Sequence, residues 1–97
     1  MLPVIYTPIA ERYFKKLNDK ALVKAFKEAL MSIRNKPDIG EAKTGDLSGI
    51  YCFDIYHNRT NYELAYRISK LKNGDMVVII MAGTRENFYK ELKRYLN

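Results

Sequence analysis

The alternation of apolar and polar positions changes period several times along the chain, and each change marks an element. Pro3 to Tyr6 is short and β-prone. Thr7-Pro8 then reads as an N-cap followed by proline at the first helical position, and Glu11 lies near the positive end of the helix dipole. Ile9, Tyr13 and Leu17 recur every four residues with Phe14 widening the stripe, which predicts a helix to about Leu17. Asn18-Asp19 breaks and recaps the chain. Leu22, Phe26, Ala29, Leu30 and Ile33 form the apolar stripe of a second helix, with Lys20, Lys24, Lys27 and Arg34 opposite, and that helix must end before Pro37.

From Tyr51 onward the period falls to two. Tyr51, Phe53 and Ile55 alternate with Cys52, Asp54 and Tyr56, and Tyr62, Leu64, Tyr66 and Ile68 alternate with Glu63, Ala65 and Arg67. If both apolar sets share a face, Ile55 lies opposite Tyr62, Phe53 opposite Leu64, and the turn is Asn58-Arg59 between His57 and Thr60. Arg59 is a poor second residue for that turn, which leaves a bulge open. Lys72-Asn73-Gly74-Asp75 marks a second turn, and Met76 to Ala82 is apolar throughout, as in a strand covered on both faces. Gly83-Thr84 reads as the start of a last helix with Thr84 as N-cap. Phe88, Leu92, Tyr95 and Leu96 would be its buried stripe, and Arg85, Tyr89 and Lys93 would share another face. The expected fold is α+β in the order β-α-α-β-β-β-α: an antiparallel sheet packed against an N-terminal helical hairpin, with a C-terminal helix.

Composition narrows the setting. A length of 97 residues at 47 % apolar content suits one core, so residues 1–97 are expected to form one domain. Seventeen Lys and Arg against 11 Asp and Glu give a net charge of +6, which biases encounter toward nucleic acid, an anionic membrane or an acidic protein. Cys52 is the only cysteine, so no intrachain disulfide can form, and one Cys with one His makes no metal cage. No cofactor or metal is expected, and the lone thiol fits a reducing compartment such as the cytoplasm. The start of the chain lacks a signal-peptide pattern, and no apolar run approaches the roughly 18 residues needed to span a bilayer, so neither secretion nor membrane insertion is expected.

The inferred register exposes the candidate chemistry. The face away from the apolar layer carries Cys52, Asp54, Tyr56, Asn61, Glu63 and Arg67, with Asp54 directly opposite Glu63. Like charges placed so destabilise a sheet. Either a cation such as Arg85 or Arg67 lies between them, or one carboxylate has a raised pKa and can serve as an acid or base. A solvated network of ion pairs is the structural alternative. His57, the only histidine, sits at a hairpin end as a candidate acid or base, and a passive surface residue is its ordinary role. Tyr89 can stack on a base or donate a proton, and Arg85 can neutralise a phosphate.

The order of elements, Leu47-Ser48-Gly49-Ile50-Tyr51, Tyr62-Glu63-Leu64-Ala65-Tyr66-Arg67-Ile68 and Gly83-Thr84-Arg85-Glu86-Asn87-Phe88-Tyr89 resemble the RelE/ParE superfamily of bacterial type II toxins. The resemblance spans nearly the whole chain. It implies a toxin held inactive by a cognate antitoxin, meeting operator DNA only through that antitoxin. The RelE and YoeB branches imply metal-independent cleavage of mRNA in the ribosomal A site, and the ParE branch implies poisoning of DNA gyrase. A catalytically inactive partner of an antitoxin or of DNA is the third alternative.

By resemblance, Arg85 and Tyr89 match an arginine and a tyrosine near the RelE C-terminus, and Glu41 matches the carboxylate proposed as general base in YoeB-like toxins. The sequence departs from the family at Cys52 and Asp54, where RelE-like nucleases have lysines, and at Glu63, where RelE and YoeB have an arginine. Cleavage by the RNA's own 2′-hydroxyl needs a base, a cation and an acid. Glu63, Asp54 or Glu41 can be the base, Arg85 with Arg59 or Arg67 the cation, and Tyr89 or His57 the acid.

Overall fold

The computed structural model describes residues 1–97. Thr7 caps the first helix through its side-chain oxygen, which accepts from the Ala10 N–H at 3.2 Å, and α1 runs Pro8–Lys15. The same hydroxyl donates to the Ile80 carbonyl at 2.6 Å and so fastens the helix start to the sheet. Asp19 caps α2, Lys20–Asn35, by accepting from Ala21 and Leu22, and those bonds to the charged carboxylate hold its pKa down. The two helices lay one apolar stripe on the sheet. Phe26 is buried there with its ring edge-on to Tyr13, Phe14 and Tyr62. Such aromatic pairs add about 0.5–1.5 kcal/mol each beyond area burial.

The sheet has five strands in the order β1-β5-β4-β3-β2, with β1 Val4–Tyr6, β2 Glu41–Ala42, β3 Tyr51–His57, β4 Thr60–Leu71 and β5 Gly74–Thr84. The inferred hairpin register is the observed one: Phe53 pairs with Leu64, Asp54 with Glu63 and Ile55 with Tyr62. Asn58 and Arg59 form the two-residue turn with φ of 50° and 64°, so the hairpin needs no bulge. Arg59 holds a left-handed conformation that glycine adopts without strain. Arg59→Gly is therefore expected to stabilise the protein by about 0.5–1 kcal/mol, read as a rise in the denaturation midpoint without a change in slope.

Four features depart from the sequence reading. The short first strand joins the sheet parallel to β5, pairing Val4 with Val77 and Tyr6 with Ile79, so the sheet is mixed. A two-residue strand, β2, pairs Glu41 with Cys52 at the far edge. One bulge separates the pairs Ala65–Met81 and Tyr66–Ile79, leaving Ile80 as the extra residue of β5.

The fourth departure concerns the last helix, which does not begin at Thr84. The Arg85 N–H donates to the Asn61 carbonyl at 2.8 Å, extending the β4–β5 ladder one step and keeping the chain out of a helix. Asn87, at a φ of 63°, then turns the chain into α3, Phe88–Leu96, without a side-chain cap bond. Arg85 thus lies at the strand end and does not share a helix face with Tyr89.

Helix α3 folds back over the sheet face opposite α1 and α2. Phe88 and Leu92 pack with Leu47, Ile50, Cys52, Ala65, Ile80 and Met81 into a second core. The face read as polar is therefore apolar and covered over half its length. Its hairpin end, with Tyr56 at 70 % exposure, is open, and Arg67 is exposed beyond the covered part. No helix is long and apolar enough to cross a membrane.

Candidate active site

Where the second core meets the open end, Glu63 is fully buried. Strand alternation places its carboxylate under α3, beside Asp54 across the β3–β4 pair. Tyr89, on the first turn of α3, donates its hydroxyl to Glu63 Oε1 at 3.1 Å. Arg85, held at the strand end by Asn61, brings Nε to 3.7 Å from Oε2, which has no hydrogen-bond partner. Burial and then the Asp54 carboxylate push the Glu63 pKa up to about 7, against the opposing pull of Tyr89 and Arg85. Both resolutions of the like-charge pair are thus realised: a cation stands near, and one carboxyl resists ionisation. Burial foremost also raises the Tyr89 phenol to about 12 and the Cys52 thiol to about 11.

The rim is built by β2. Tyr66, stacked on Tyr51, accepts from the Gly40 N–H at 2.9 Å and donates to the Pro37 carbonyl at 2.7 Å. A Cβ at Gly40 would stand 2.7 Å from that hydroxyl, so glycine permits the approach. The segment so fixed sets Glu41 opposite Cys52, and Lys43 follows two residues later on the same side. The Lys43 ammonium binds Glu41 and lies 4.8 Å from the centroid of the Tyr89 ring. Its pKa is held above the ordinary lysine value, chiefly by the bond to Glu41.

The structure thus brings together Glu41, Asp54, Glu63, Arg85 and Tyr89 among the residues singled out from sequence. Three others stay apart. His57 points to the helical side of the sheet, away from this group, with Nε2 3.4 Å from Asp19 Oδ2. Arg67 shares the site's face but lies four residues along β4 from Glu63, roughly 13 Å at the ordinary strand rise, and forms no ion pair. Arg59 is exposed at the hairpin tip. Lys43 is the site residue that the sequence reading missed. Its spacing of two from Glu41 in an extended segment was the available signal.

The His, Cys, Asp and Glu side chains do not gather in threes that would hold a metal ion. What the group offers is a buried carboxyl that exchanges protons near neutrality, a phenol on it, and two cations at the opening.

Comparison with known proteins places the fold and the family. No curated protein matches the chain in sequence. Among solved structures, a mutant of Escherichia coli toxin RelE in the free state is similar with a TM-score of 0.73 at 18 % identity, over 99 % of this chain and 98 % of that one. A YoeB/ParE toxin from Agrobacterium tumefaciens gives 0.70 at 14 % identity, over 87 % and 99 %. The toxin-antitoxin complex RelBE2 from Mycobacterium tuberculosis gives 0.63 at 27 % identity, over 87 % and 98 %. These likenesses establish a RelE-like fold. The family model for the ParE-like toxin of type II bacterial toxin-antitoxin systems matches residues 4–93, and the chain belongs to that family.

Proposed function

We propose that this toxin is a ribosome-dependent mRNA endoribonuclease that needs no metal ion, and that a cognate antitoxin restrains it. The observation that carries the reading is the hydrogen bond from Tyr89 to the buried Glu63, with Arg85 beside the same carboxylate. Glu63 is closed to solvent, so a proton reaches it through Tyr89. The RNA 2′-hydroxyl attacks the adjacent phosphorus and gives its proton to the Tyr89 oxygen, as the phenol proton moves to Glu63 Oε1. The P–O5′ bond breaks, leaving a 2′,3′-cyclic phosphate, and the departing oxygen is protonated from water at the open rim. Arg85 offsets the charge that develops on the phosphorane.

An antitoxin partner is supported by the similar Mycobacterium tuberculosis structure, which is a toxin-antitoxin complex. Contact with operator DNA is assigned to that partner. A second reading, poisoning of DNA gyrase without nuclease activity, is favoured by the acidic centre of the site and by the ParE-like family model.

Primer extension on cellular transcripts after induction separates the two. New 5′ ends within coding regions are expected for the wild-type protein and not for Arg85→Ala. Growth arrest without new transcript ends, accompanied by trapped gyrase–DNA complexes, would favour the second reading.

A further inference from the structure

Lys43 is a lysine held where lysines seldom stay. Its side chain is only 20 % exposed, although an ammonium on a flexible stem ordinarily extends into water and retains its rotamer freedom. Three constraints keep it over the site. The Tyr66 hydroxyl pins Gly40, the β2 pairing sets Glu41 against Cys52, and the Lys43 N–H donates to the Ile50 carbonyl at 2.9 Å. Its ammonium then rests above the Tyr89 ring, on the phenol whose hydroxyl meets Glu63.

The charges around it are unequal in freedom. Glu63 is buried and already has Arg85. β3 brings Cys52 and Asp54 to the site and no cation. Glu41, which holds Lys43, has a side chain that is 74 % exposed and can turn into solvent. A phosphodiester arriving at the Tyr89 hydroxyl therefore meets an ammonium with a replaceable partner. The phosphorane formed there carries one more negative charge than the diester and outbids a single exposed carboxylate for that ammonium.

We infer that Lys43 is a second phosphate-binding cation of this site beside Arg85, delivered from the segment that follows β2 and passing from Glu41 to a non-bridging oxygen of the cleaved phosphate. The inference rests on the nuclease reading above. Glu41 serves as the resting counter-ion of Lys43, and the two form one device at the rim.

The test is single-turnover cleavage of mRNA on programmed ribosomes at saturating toxin. It uses either phosphate or each phosphorothioate diastereomer at the cleaved linkage. Lys43→Gln is expected to slow cleavage of the phosphate about 100-fold, and Lys43→Arg to restore part of that loss. Sulfur in one of the two positions is expected to slow the wild-type protein selectively, and that selectivity should collapse in Lys43→Gln. A Lys43→Gln protein that is slow yet keeps the wild-type sulfur selectivity would show that the lysine only props Tyr89, and would overturn the assignment. Equal rates in Lys43→Gln and wild type overturn it as well. If the wild-type protein cuts nothing, both this inference and the nuclease reading fall. Matched thermal unfolding of the three proteins confirms that differences in rate are not differences in folding.

Discussion

Glu63→Gln is expected to yield a protein that is more stable than the wild type at pH 8 and inactive as a toxin. A carboxyl whose folded-state pKa is raised to about 7 favours the folded state fully only below its unfolded pKa, about 4.3 for glutamate. As pH rises through 7 the folded protein must ionise a group that has no access to water, and that stability is lost. A shift of that size corresponds to about 3 kcal/mol between acid and alkaline conditions. Glutamine keeps the shape, accepts from Tyr89 and carries no charge, so it removes the loss. Urea denaturation at pH 5 and pH 8 reads the effect: the two proteins should be close at pH 5 and separated by about 1–3 kcal/mol at pH 8. The same change removes the proton acceptor, so a stabilised variant that no longer cleaves transcripts marks a residue held for function at a cost to the fold. A wild-type protein equally stable at both pH values would refute the raised pKa.

Tyr89→Phe is expected to lower transcript cleavage by about 10²–10⁴-fold, the range for loss of one acid–base group, while leaving the fold intact. The ring remains to pack against Phe88 and to lie under Lys43, and only the hydroxyl is lost. The pH profile carries the more specific signal. Wild-type cleavage should rise through an inflection near pH 7 as Glu63 ionises. The Tyr89 hydrogen bond lowers the Glu63 pKa, so its removal should move the inflection of any residual activity upward. A profile unmoved by the substitution would mean that Glu63 is not the titrating group. Ribosome-programmed cleavage between pH 6 and 8.5 supplies the measurement.

These expectations depend on features of unequal legibility. The β3–β4 register was readable because the matching of apolar faces excludes odd slips and the two-residue turn at Asn58-Arg59 selects one of the rest, and the facing of Asp54 and Glu63 followed. Both helices of the hairpin announced themselves by long stripes and by caps at Thr7 and Asp19. The strand Glu41–Ala42 did not, since two residues carry no period. Gly83-Thr84 looked like a helix start because the local chemistry of an N-cap was present, and a bond between Arg85 and Asn61, distant in sequence, overrode it. The burial of Glu63 was illegible for a similar reason. It depends on α3 folding back across the sheet, and nothing near Glu63 in the chain records that.

The pairing of β1 with β5 joins residues 4–6 to residues 77–79, so the sheet closes only when both of these distant segments are present. Closing so long a loop is slow compared with forming the β3–β4 and β4–β5 hairpins, whose partners adjoin in sequence. During synthesis the first strand must wait for the last strand to emerge, and Arg85 and Tyr89 follow later still. A nascent chain therefore holds Glu63 without the arginine and the phenol that equip it. The site is completed only after β5 has paired and residues 85–89 have followed it.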